Sequence, residues 1–110
     1  MDPFIHRLVR RLNDPSRPLS RNRHFHTFET PEGRAALRTS RRLRNLRDDL
    51  LTCLQQGGRA RCAPIEDAEG ALRIELTLVR LKGKRTTMLP QAEWELLTEL
   101  PGVREALALG

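Results

Sequence analysis

Arg34, Arg38, Arg41, Arg42 and Arg44 recur at intervals of three and four residues. A guanidinium is a permanent charge with a planar fork of donors, and it grips phosphate or carboxylate through two parallel hydrogen bonds. Placed on a helix, these five side chains share one side and could follow the backbone of a nucleic acid. The competing reading is a solvated helix face kept polar because the opposite face is buried. Asp48 and Asp49 follow closely and weaken the stripe at its C-terminal end.

Other chemistry has less support. His24 and His26 could present two metal ligands on one side of an extended segment, but Cys53 and Cys62 are nine positions apart and His6 is distant. Structural zinc sites bring their ligands in close Cys and His pairs, so neither a metal nor another cofactor is expected. Arg59 and Arg61 would favour a thiolate at Cys62, yet a nucleophile also needs a positioned base. With no glycine-rich phosphate loop, nucleophile elbow or metalloprotease helix, no catalytic residue is assigned and an enzyme is not expected. Both cysteines are read as buried small hydrophobes rather than as a disulfide.

The charge around these residues is polarised. Residues 1–61 hold 14 Arg against six acids, net +8, and residues 62–110 hold six basic residues against eight acids, net −2, which together give the formal +6. An excess of 18 Arg over two Lys is what GC-rich coding alone would produce, so the ratio carries little. The clustering carries more, because codon bias acts on both halves alike. A field of this shape favours a polyanion or an acidic protein surface as partner.

At 110 residues and 38% hydrophobic content the chain suits one modest core. Only Phe4, Phe25, Phe28 and Trp94 are aromatic, so burial must rest on leucine and a homodimer is expected. No apolar run approaches the roughly 20 residues of a membrane span, and Met1-Asp2-Pro3-Phe4 does not open a secretory signal. No membrane contact is expected, and a cytoplasmic location is.

Elements that would position the arginines can be read from periodicity. Asp2 and Pro3 start a helix whose Phe4, Ile5, Leu8, Val9 and Leu12 lie on one face, ended by Asn13-Asp14-Pro15. Residues 14–29 read as a Pro- and Arg-rich linker, with Phe25 docking on the core. Thr30-Pro31-Glu32 starts a second helix running to about Gln56 and stopped by Gly57-Gly58. At 100° per residue, Ala36, Leu43, Leu46, Leu50, Cys53 and Leu54 fall within about 100° of arc, opposite the arginines. Short strands are expected over 59–65, 72–80 and 85–89, the second from the alternation of Leu72, Ile74, Leu76 and Leu78 with polar residues. Lys82-Gly83-Lys84 is read as the turn between the last two, and Pro90 opens a helix striped by Trp94, Leu97 and Leu100. The order implies an α+β fold: an N-terminal helix and a long amphipathic helix packed on a small three-stranded antiparallel sheet with a C-terminal helix. Residues 1–30 would form a helical arm and linker, and 31–110 a single domain.

The run from Gly83 to Leu97 joins a basic turn, a short strand, Pro90 and a helix carrying Glu93-Trp94 and Leu97. In this it resembles the end of the positive cofactor four type of transcriptional coactivator, which binds single-stranded DNA. The resemblance covers about the last 40 residues. It implies a curved antiparallel sheet followed by a helix, phosphate contacts from Lys82, Lys84 and Arg85, and a core or dimer contact from Trp94 and Leu97. The expected function is therefore non-enzymatic, backbone-directed nucleic-acid binding, with a role in transcription regulation. The alternative is an adaptor or assembly subunit whose basic face docks an acidic protein, with the Phe4, Ile5, Leu8 and Leu12 face as an interface.

Overall fold

The structure, a computed structural model, describes residues 1–14 and 28–108. Residues 15–27 of the expected linker, with Phe25 and the His24/His26 pair, lie outside those residues, and Phe28 and Glu29, also read as linker, are helical. Among the described residues the main elements follow in the order α1 (Pro3–Asn13), α2 (Pro31–Gln55), β1 (Arg59–Glu66), β2 (Leu72–Arg80), β3 (Gly83–Pro90), α3 (Gln91–Thr98) and α4 (Val103–Ala106). The architecture is α+β, as the sequence implied.

Local chemistry sets the boundaries. The Asp2 carboxylate accepts the Phe4 N–H at 2.7 Å to cap α1, and the Thr30 hydroxyl accepts the Gly33 N–H at 3.0 Å to cap α2. α2 closes in a Schellman motif: Gly57, at φ 80°, donates to the Leu54 carbonyl, and Gly58 donates to that of Cys53. Gly58 is also packed tightly, since a Cβ there would lie 2.7 Å from the Val79 carbonyl oxygen and 2.8 Å from that of Cys53. Asp67 organises the β1–β2 turn. Its Oδ1 accepts the N–H groups of Glu69 and Ala71, both at 2.9 Å, and its Oδ2 accepts Arg73 Nε at 2.9 Å.

Among the described residues the sheet is antiparallel in the order β1-β2-β3, with β1 and β3 as its edges. β3 begins two residues before the expected start. Leu81 and Lys82 form the turn, Gly83 pairs with Arg80, and Lys84 pairs with Val79 inside the strand. Alternation sends Leu76, Leu78 and Leu89 to the face that packs on the helices, where all three are buried. The opposite face carries Arg61, Thr77, Thr86 and Met88, and among the described residues of that face none is buried.

α2 lies across the helical side of the sheet with Ala36, Leu43, Leu46, Leu50 and Cys53 buried and Leu54 partly buried. α3 adds Leu96 and Leu97, and the chain beyond it adds Leu100 and Val103. α1 packs on α2 through Val9, which is fully buried in this same core, flanked by Ile5, Leu8 and Leu12. Two polar contacts tie α1 down: the buried Ser40 hydroxyl donates to Asn13 Oδ1, and Arg10 makes a bidentate pair with Glu99 at 2.7 and 2.9 Å. Phe4 is 43% exposed at the start of that helix. Cys53 is buried and free, but Cys62 is free and exposed, contrary to expectation. It sits on the edge strand β1, beyond the cover of the helices.

Candidate anion-binding groove

Helix periodicity and strand alternation together build a groove between α2 and the edge strand β3. It has a volume of about 510 Å³, with Arg34, Arg38, Arg41 and Arg42 on the helical wall and Arg85 on the strand wall. Leu37, Leu46, Leu89 and Thr87 also line it, which makes its surface largely apolar beneath a cationic rim, with Asn45 and Asp49 as further polar groups. Four of the five helical arginines thus converge with one of the three basic residues expected near the β2–β3 turn.

The others are dispersed for simple geometric reasons. Arg44 is exposed but lies outside the groove lining. Lys84 and Arg85 are neighbours on a strand and so project to opposite sheet faces, Lys84 beside Arg61 and Glu75, Arg85 towards α2. Lys82 stands at the hairpin tip next to Leu81, which is fully exposed. Trp94 is partly buried against the core, whereas Leu97 is fully buried and serves the interior of its own chain.

Two rim arginines are fixed by acids from neighbouring elements. Arg85 donates to Asp49 Oδ2 at 2.7 Å, joining β3 to α2. Arg42 forms an ion pair with Glu93 of α3, whose carboxylate is mostly buried, in a geometry too bent for a hydrogen bond. Arg34 donates to the Glu29 carbonyl at 2.8 Å. Arg38 and Arg41 have no ion pair among the described residues. They are the arginines most available to a ligand. The Arg85–Asp49 pair is exposed, and pairs of that kind contribute about 0–1 kcal/mol, so an incoming carboxylate or phosphate can replace Asp49 with little penalty.

Sequence reasoning missed the apolar component and the acids that tether the rim. Leu37 carried a signal, because it falls between Arg41 and Arg44 on the helical wheel, where solubility calls for no leucine. Thr87 and Leu89 carried none, since only the tertiary fold brings them to α2, and the same holds for the pairing of Asp49 with Arg85. Among the described residues no group of three His, Cys, Asp or Glu could hold a metal ion, and no helix is long and apolar enough to cross a membrane.

Comparison with protein-family models, with curated proteins and with solved structures gives no match to this chain. The class is therefore defined by fold and site alone: an α+β domain with an arginine-rimmed groove beside an open sheet edge.

Proposed function

We propose that the protein is a non-enzymatic interaction module that binds an acidic, extended segment of a partner protein in the α2–β3 groove. The observation that carries this reading is the convergence of Arg34, Arg38, Arg41, Arg42 and Arg85 on a groove lined by Leu37, Leu46 and Leu89. Carboxylates suit the rim, as Asp49 and Glu93 already show within the chain. Apolar side chains suit the recess. A nucleic acid would meet the same charges, but the groove lining holds no aromatic residue for base stacking.

Backbone-directed nucleic-acid binding, with the transcriptional role implied by the resemblance, is the second reading. Arg59, Arg61 and Lys84 favour it, because they carry positive charge onto the uncovered sheet face. The proposal further takes the protein to be cytoplasmic and a homodimer. Support for self-association comes from the end of the sheet where Cys62, Pro64 and Leu72 are exposed on the side that elsewhere packs on helices.

Anisotropy titrations of a labelled Glu-rich peptide and of single- and double-stranded DNA and RNA, at several salt concentrations, test both readings. The peptide is expected to bind, and the double variant Arg38→Glu/Arg41→Glu to abolish binding. Arg42 is left intact, since a glutamate there would face the mostly buried Glu93. Tighter binding of nucleic acid, falling steeply with salt, replaces the first reading by the second. No binding of either at low salt overturns both.

A further inference from the structure

The groove has a property that charge does not describe: one of its walls is a sheet edge. Among the described residues β3 pairs only with β2, so along Gly83–Pro90 the backbone has N–H and C=O groups with no strand partner among them on its outer side. An edge of this kind is a template for a further strand. At the usual interstrand spacing of about 4.8 Å, a strand added to β3 would extend the sheet on the side away from β2, continuing the groove wall formed by Arg85, Thr87 and Leu89.

We propose that the partner segment binds by strand addition, as a fourth strand paired with β3 and lying under the arginines of α2. This rests on the acidic-segment reading above. Alternation then dictates the segment's pattern. Every second side chain faces the groove, where Arg38 and Arg41 have no ion pair among the described residues and the partly exposed Leu37 offers apolar contact. The remaining side chains face the other side of the sheet, beside Lys84, Thr86 and Met88 of β3. The predicted ligand is an extended peptide with acids at alternate positions.

Charge selects this occupant over the alternatives. A second copy pairing β3 with β3 would set two strands side by side that each carry Lys84 and Arg85 and no acid, and β1 carries Arg59 and Arg61 against the single acid Glu66. Residues 15–27 of the chain itself bring three arginines and no acid. An acidic partner strand meets both the unfilled edge and the uncompensated charge.

The test alters the peptide's backbone and sequence, with Arg38→Glu/Arg41→Glu as the protein control. A labelled ten-residue peptide alternating Glu with Val is compared with an isomer whose five Glu are contiguous, and with two N-methylated forms carrying methyl groups on all odd or all even amides. A strand pairs with β3 along only one of its two edges. One methylation pattern should therefore weaken binding by at least about tenfold, through loss of several hydrogen bonds, and the other should bind as the parent does. The contiguous isomer should bind at least about fivefold more weakly, because only some of its acids can face the rim. Equal affinity of the two methylated forms overturns strand addition while leaving the groove reading intact, provided Arg38→Glu/Arg41→Glu still abolishes binding. Insensitivity to that double variant overturns the groove reading itself. A single-stranded oligonucleotide that displaces the peptide, in an Arg38- and Arg41-dependent manner and with higher affinity, overturns the peptide assignment.

Discussion

Arg38 and Arg41 differ from their neighbours in what surrounds them, not in what they are. Arg42 and Arg85 are held by Glu93 and Asp49, while Arg38 and Arg41 keep their charge for a ligand. Arg44→Glu is the matching control: it changes the net charge as much as Arg38→Glu but lies outside the groove. It should leave peptide affinity within about twofold, where Arg38→Glu alone lowers it about tenfold, measured by anisotropy. Asp67 makes a prediction of another kind. Its hydrogen bond from Arg73, then that from the Ala71 amide, holds its carboxyl below the ordinary range. A folded-state value lower than the unfolded one adds stability above the unfolded value, lost as pH falls through the folded one. Stability should therefore decline as pH drops below about 4, and Asp67→Asn should flatten that acid-side slope in thermal melts run across pH. The guanidinium stripe was legible in the sequence because helical period is strict. Which arginines would be neutralised was not, since Glu93 lies 51 residues from Arg42 and Asp49 36 from Arg85.

At the scale of elements, cap chemistry and periodicity were legible almost to the residue. Asp2, Thr30 and Gly57 each mark a helix boundary that the structure keeps. The start of β3 was misread because Lys82-Gly83-Lys84 has the composition of a turn, whereas the two-residue link Leu81-Lys82 lets the ladder begin at Gly83. The passage from α2 to β1 depends on Gly58 for space rather than for backbone freedom. A methyl group there would collide with Cys53 Sγ and with two backbone carbonyl oxygens, and backbone cannot rotate away as a side chain can. Gly58→Ala should destabilise the fold by about 2–3 kcal/mol, measured by urea denaturation. Gly70→Ala would be strained by its φ of 79° but has open space around its Cβ, so a comparison of the two separates steric from conformational effects.

At the scale of the whole molecule, a separate arm over 1–30 was the natural reading of a Pro-rich linker, and the structure sets α1 into the common core through Val9. Periodicity could assign α1 an apolar face but could not say what would cover it. The uncovered end of the sheet poses the same question for the assembly. Sedimentation equilibrium should give about twice the 12.6 kDa chain mass, and Leu72→Lys should shift the equilibrium towards the monomer if that end is the contact. The core also unites Val9 near one end of the chain with Val103 near the other, reinforced by the pairing of Arg10 with Glu99. On the ribosome, where chains emerge N-terminus first, α1 and the cationic α2 are synthesised before Leu96, Leu97 and Val103, which complete their packing. The net +8 half of the molecule is thus synthesised ahead of part of its apolar lining, and its maturation has to await α3 and α4.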